Sequence, residues 1–175
     1  MSQLPVIDMP VSDQGVNRER YMLVPRTLIF LTRGERVLLI KGAPHKRLWA
    51  NKYNGIGGHI EPGEDALSAA RRELNEETGL QAEELRLCGV VTIDTAQNPG
   101  VGIYIFHGEC PTGEARPSSE GELTWVKRDE IPHLPVLEDL PVFLSRIMAI
   151  RKEDPPFSAH TSYTADGKMV IRFGE

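Results

Sequence analysis

Apolar and polar positions along the chain divide it into short strands and two helices. Met22 to Thr32 is nearly all apolar and rich in β-formers, Arg33-Gly34-Glu35 reads as a turn, and Val37-Leu38-Leu39-Ile40 follows. Two such runs about a glycine-bearing turn predict a β-hairpin, and their unbroken apolar character predicts burial on both faces. Gly42 to Tyr53 reads as a loop of charged and aromatic residues, followed by a short segment, Asn54 to Ile60, that carries Gly55, Gly57 and Gly58. Pro62-Gly63 breaks the chain before a run of helix formers from Glu64 to Thr78. Leu67, Ala70 and Leu74 recur there at helical spacing, and Gly79 is the expected stop.

Leu85 to Ile93 and Val101 to His107 predict strands separated by Gln97-Asn98-Pro99-Gly100, and Leu123 to Val126 predicts another. Leu137 to Ile150 predicts a second helix with Leu140, Phe143, Leu144 and Ile147 on one side. Phe157 to Phe173 reads as a closing hairpin that turns at Ala165-Asp166-Gly167. Ser2 to Arg20 is polar, with Pro5, Pro10 and Gly15, and reads as an arm. Strands and helices mix without a regular βαβ alternation, so the fold class is α+β or mixed α/β.

The chain of 175 residues has the size of one domain, which divides it into an N-terminal arm, 1–20, and a single domain, 21–175. Its composition, 40% hydrophobic and 26% charged, is globular. With 20 basic against 25 acidic residues the net charge is -5, which argues against a nucleic-acid polymer as partner. A phosphate ligand carried with a divalent cation remains compatible, since the cation supplies the positive charge. Cys88 and Cys110 are too few for a disulfide scaffold or a four-thiolate zinc site. Each lies near an apolar run and reads as a buried thiol, with a disulfide as the lesser alternative. The sequence shows no basic start followed by an apolar stretch and no apolar run near the ~20 residues of a membrane span, so no membrane partner and a cytoplasmic location are expected.

The segment Gly58 to Leu80, GHIEPGEDALSAARRELNEETGL, carries the chemistry. Offsets of three and four bring Glu73, Glu76 and Glu77 onto one side of the helix. Three like charges there need a cation. Arg72 neutralises part of that charge, but its place in the turn is expected to point it elsewhere. Clustered carboxylates without His or Cys are hard oxygen ligands that suit Mg²⁺ or Mn²⁺ rather than zinc. The implied reaction is metal-assisted attack of water on a phosphoryl group. A helix bearing Glu-x-x-Glu-Glu alone is more often a solvated face; the wider segment decides.

That segment resembles the Nudix box, G-x5-E-x7-R-E-U-x-E-E-x-G-U with U a bulky aliphatic, at Gly58, Glu64, Arg72-Glu73-Leu74, Glu76-Glu77 and Gly79-Leu80. Resemblance to the Nudix hydrolases implies an α/β/α sandwich with a mixed β-sheet and cleavage of a nucleoside diphosphate linked to another group. It also implies that Glu73, Glu76 and Glu77, with the Gly58 carbonyl, hold the divalent metal. Glu64 and Arg72 would brace loop and helix through a salt bridge, with Gly79 closing the box. Tyr53 to Gly58, YNGIGG, resembles the W-N-G-F-G-G of MutT-type enzymes that clear oxidised purine nucleotides, which makes Asn54 a reader of the base edge. The alternative is that Asn54 only makes a turn.

Glu120, with Trp125 and Ile131-Pro132 beyond it, resembles the stretch that supplies a further metal or base carboxylate in the mammalian-type oxidised-purine triphosphatases; Glu122 is the neighbouring alternative. Glu138-Asp139 lies where that group has an acidic pair facing the base, a position equally suited to the first turn of a helix. Val136 stands where that group has a stacking Trp, leaving Trp49 or Tyr53 to compensate. His59 replaces a common Lys. His45, His107, His133 and His160 are scattered and read as ordinary.

The resemblance implies a nucleoside triphosphate pyrophosphohydrolase dependent on Mg²⁺, with Mn²⁺ as the substitute, acting on oxidised purine triphosphates such as 8-oxo-dGTP. Glu76, Glu77 or Glu120 would accept the proton of the attacking water. A nucleotide with its divalent metal is the expected partner, and the protein a monomer or homodimer. Two alternatives stand beside this. One is a Nudix hydrolase of another substrate, such as an ADP-sugar or a dinucleotide polyphosphate; for ADP-ribose, Thr95 and Ala96 stand where a Pro is usual, and Pro99 comes late. The other is a nucleotide-sensing module without turnover.

Overall fold

In the computed structural model, residues 6–110, 112–116 and 120–174 are described. Eight strands and two helices follow in the order β1 (Leu23–Arg33), β2 (Arg36–Gly42), β3 (Tyr53–Asn54), α1 (Ala66–Thr78), β4 (Leu85–Ile93), β5 (Gly100–Glu109), β6 (Gly121–Lys127), α2 (Leu140–Ala149), β7 (Phe157–Tyr163) and β8 (Met169–Phe173). The strands form a mixed sheet in the order β3-β2-β1-β5-β4-β7-β8, with β6 on β2.

The predicted first hairpin holds only at its tip. β1 and β2 pair antiparallel at Thr32↔Val37 and Arg33↔Arg36. Beyond the tip, β1 runs parallel to β5 from Leu23↔Gly100 to Thr32↔Glu109, while β2 pairs antiparallel with β6 along its whole length. Each strand is apolar on both faces and finds its own partner, so the sheet opens where a simple hairpin would stay closed. The predicted double burial is present. Ile29 and Leu31 pack with Ala70 and Leu74 of α1, and Phe30 packs with Phe143, Leu144 and Ile147 of α2. Helices therefore cover both faces, which is the α/β/α sandwich.

α1 starts at Ala66 rather than Glu64 because Asp65 caps it, its side chain accepting from the N–H groups of Leu67 and Ser68. Gly79 ends it at φ 68, a left-handed conformation that suits glycine. α2 begins at Leu140, so Glu138 precedes it and Asp139 is its N-cap residue. The closing hairpin is β7 and β8, paired from Ala159↔Phe173 to Tyr163↔Met169. Cys88 and Cys110 are buried and unbonded. Tyr21 donates from its hydroxyl to the Ile93 carbonyl at 3.2 Å, which ties the chain just before β1 to β4. No helix among the described residues is long and apolar enough to cross a membrane.

Candidate active site

Residues 55–58 run along β1. Ile56 exchanges hydrogen bonds with Ile29 at 2.7 and 3.1 Å, and the Thr27 N–H donates to the Gly58 carbonyl at 2.9 Å. A side chain has no room here. A Cβ on Gly57, whose φ is 148, would stand 2.2 Å from the Thr27 carbonyl oxygen, and one on Gly58 would stand 2.5 Å from Oε1 of Glu73. α1 thus sets its carboxylates against bare backbone. Glu77 accepts from the Gly57 N–H at 3.2 Å.

Arg72 does not point away from the glutamates, contrary to expectation. Its Nε and Nη2 donate to the two oxygens of Glu64 at 2.7 and 2.9 Å, its Nη1 to Glu73 at 2.8 Å and Glu76 at 3.1 Å, and its Nη2 to the His59 carbonyl at 3.0 Å. The guanidinium fork reaches a neighbour in sequence and one a turn later while holding Glu64 bidentately. The expected Glu64–Arg72 bridge is therefore present, and it holds the Glu64 carboxyl down to about 2, chiefly through Arg72 and then the Glu61 N–H.

Glu77 is the opposite case. Burial pushes its carboxyl up to about 7, with the charges of Glu73 and Glu120 adding to the shift and the Gly57 N–H and Lys46 opposing it. Glu120 comes from the turn before β6 and is ion-paired with Lys46 of the 43–52 loop. Glu76 is largely exposed, at 58%. Among the described residues no three acids, His or Cys stand as a ready-made metal cluster; Glu73 and Glu76 are instead paired with Arg72, and Glu120 with Lys46. The donor set still fits a hard divalent cation. It is all oxygen, its members share one cleft, and the buried charge of Glu77 lacks a cation of its own.

A cleft of about 1610 Å³ joins this end to a second group of residues, Asn54, Glu138 and Asp139. Asn54 lies in β3 opposite Ile40, and its Oδ1 accepts from the Gly55 N–H at 2.8 Å, so it makes a turn as well as lining the cleft. Glu138 is ion-paired with Lys52, which lowers its pKa. Burial raises that of Asp139, with the charge of Glu138 adding to it. Adjacent carboxyls are thus driven apart, one towards acceptor and one towards donor.

The structure selects among the other sequence candidates. Trp49 lines the cleft, 47% exposed, as does His59. Tyr53 and Val136 instead bridge each other and pack against the α2-side core, and Glu122 faces Lys41 in the β2–β6 ladder. Sequence reading missed several lining residues: Arg26, Lys46, Lys52 and Tyr163, and a floor of Ile93, Val101, Ile103 and Ile171. For Arg26 a signal existed, since it is the single charge between Met22 and Thr32. The floor residues lie far apart in sequence and only strand order brings them together.

A mixed sheet between two helices, with a glycine segment set against an acidic helix, is the arrangement of the MutT type of fold. The chain belongs to the NUDIX domain family, which matches residues 22–147. It is 35% identical over 107 residues to the oxidized purine nucleoside triphosphate hydrolase of Danio rerio, covering 61% of this chain and 67% of the relative. It is 27% identical over 134 residues to the NAD-capped RNA hydrolase NudC of Pseudomonas syringae pv. syringae, covering 75% of this chain. The match spans 46%, about half, of that relative's length. Among solved structures, a MutT protein from Bacillus halodurans superposes with a TM-score of 0.72 at 24% identity, covering 86% of this chain and 97% of that one. The NUDIX domain of Shewanella oneidensis NrtR, complexed with ADP ribose, superposes at 0.62 with 13% identity, covering 80% and 97%. These two likenesses show the fold.

Proposed function

We propose that this Nudix hydrolase is a Mg²⁺-dependent nucleoside triphosphate pyrophosphohydrolase, with Mn²⁺ able to substitute, that favours oxidised purine nucleotides and releases a monophosphate and pyrophosphate. The observation that carries the reading is the single cleft with carboxylates of α1 at one end and the split pair Glu138–Asp139 beside Asn54 at the other. Glu73, Glu76, Glu77 and Glu120, with the Gly58 carbonyl, would hold the metal, which supplies positive charge to the phosphates and activates water. Arg72 and Glu64 keep the helix and the glycine segment in register. Glu76, Glu77 or Glu120 takes the proton of the attacking water. Asn54 both donates and accepts; Asp139, whose pKa burial raises, is the member of the pair that would donate to a base oxygen, and Glu138, lowered by Lys52, the one that accepts. The likeness to an oxidized purine nucleoside triphosphate hydrolase supports this choice of base.

One observation favours a second reading. The cleft exceeds the ~300–1,000 Å³ usual for small-molecule sites, and some relatives are NAD-capped RNA hydrolases. A dinucleotide substrate would use that space. The test is a hydrolysis panel with Mg²⁺ on wild type and Glu77→Gln: common dNTPs, 8-oxo-dGTP, ADP-ribose, a diadenosine polyphosphate and NAD-capped RNA. Preference for 8-oxo-dGTP with pyrophosphate release, lost in the variant, is the expected result. Preference for a dinucleotide moves the second reading to first place, and nucleotide binding without turnover marks a sensor.

A further inference from the structure

We infer that Arg26 is a phosphate-binding residue of this cleft, its guanidinium taking an anionic oxygen of the nucleotide's phosphate chain. The inference rests on the hydrolase reading above. Arg26 lies near the start of β1, in ladder register with Ile103 of β5 and bridged to His59 on its other side. The next residue, Thr27, donates its N–H to the Gly58 carbonyl, and Gly58 lies against the Glu73 carboxylate. Arg26 is therefore one residue along the strand from the carboxylate end of the cleft.

Two orphaned polar atoms fall on successive residues of β1, whose side chains leave opposite faces of the strand. The Nε of Arg26 and the Oγ1 of Thr27 are both buried and have no hydrogen-bond partner, and Thr27 is only 4% exposed. Both residues line the cleft. Arg26 is half-buried, and a buried donor such as its Nε, left without a partner, costs free energy that a ligand recovers. The lysines of the cleft are engaged. Lys46 pairs with Glu120, Lys52 with Glu138 and Lys168 with Asp166. The Arg26 side chain makes no ion pair or hydrogen bond among the described residues, although seven carboxylate side chains line the same cleft. The strand holds it away from them. An unpaired fork of donors beside a metal-binding end suits a phosphate, which Arg grips bidentately.

The test compares wild type with Arg26→Gln, Arg26→Lys and Arg26→Met. Calorimetry with Mg²⁺ would measure affinity for the monophosphate product, for pyrophosphate and for the nucleoside lacking phosphate. Steady-state kinetics would give KM and kcat, and thermal unfolding without metal would give Tm. In Arg26→Gln we expect about tenfold or greater loss of affinity for at least one phosphate product, with a matching rise in KM. Nucleoside affinity stays unchanged, Arg26→Lys keeps part of the product affinity, and Arg26→Met unfolds at or above the wild-type temperature because an unpartnered buried donor is gone. Unchanged product affinities and KM in Arg26→Gln overturn the inference. So does an equal loss for the nucleoside, which would place the contact on base or sugar. Wild type that hydrolyses no nucleotide sinks the hydrolase reading and this inference with it, whereas a hydrolase indifferent to Arg26→Gln sinks this inference alone.

Discussion

Glu77 and Glu73 sit against the backbone of Gly57 and Gly58; Glu73 is paired with Arg72, whereas the buried Glu77 makes no ion pair among the described residues. Replacing either with Gln keeps the shape and removes the charge. For Glu77→Gln we expect turnover to fall by about 10²-fold or more, and Mn²⁺ binding measured by calorimetry to weaken with it. Full Mn²⁺ affinity in Glu77→Gln would remove that residue from the ligand set. His107 offers a test unrelated to the cleft. Its Nε2 lies 3.0 Å from the Thr32 hydroxyl, and burial lowers its pKa, with Arg86 adding and Glu109 opposing. The unfolded chain, with a His pKa of about 6.5, then binds more protons than the folded one between that value and the lower folded pKa. Stability falls as pH falls through that window and is unaffected above it. Urea unfolding at pH 7.5 and 5.5 should show a larger acid loss for wild type than for His107→Gln; equal losses would assign the acid sensitivity elsewhere.

The glycine segment and α1 form one device, and its two middle glycines fail differently. A methyl on Gly58 meets the movable carboxylate of Glu73, whereas one on Gly57 meets the Thr27 backbone at a φ that side chains rarely adopt. Gly58→Ala should therefore fold with Tm within about 3 °C of wild type yet lose metal binding and turnover. Gly57→Ala should lower Tm by more, since β1 itself must shift. Equal stability of the two variants would contradict this division. The device was largely legible in the sequence because its parts sit at fixed spacing on one helix and its preceding turn. Arg72 was misjudged because its acceptors come from four residues, two of them, His59 and Glu64, outside the helix, and the reach of a guanidinium is not visible in helix periodicity. The opening of the β1–β2 hairpin was hidden for a related reason: which apolar strand takes which partner is decided by β5 and β6, far along the chain.

At the scale of the whole molecule, the cleft exists only because the sheet order runs β1-β5-β4-β7-β8 and sets the 43–52 loop, α2 and the closing hairpin about it. Its carboxylate end was therefore readable from one motif, while its floor and its cations were not. Tyr163 lines the cleft near Glu138 and Asp139, a proximity that only the closing hairpin creates. The arrangement also sets how metal and nucleotide must interact. Seven carboxylate side chains line a cleft that has to admit a polyanion, in a chain of net charge -5, and its lysines are already paired. A nucleoside triphosphate entering without metal meets net repulsion; with metal on the carboxylates the sign at that end reverses. Coupling of about 1–3 kcal/mol between the two ligands follows, and by linkage each must tighten the other equally. Calorimetric titration of the triphosphate should give a dissociation constant at least about fivefold weaker in EDTA than in Mn²⁺, and the gap should close in Glu73→Gln, where the metal no longer holds. A triphosphate that binds equally well in EDTA would mean that its phosphates rest on the protein's own cations, Arg26 foremost, and would detach nucleotide recognition from the metal altogether.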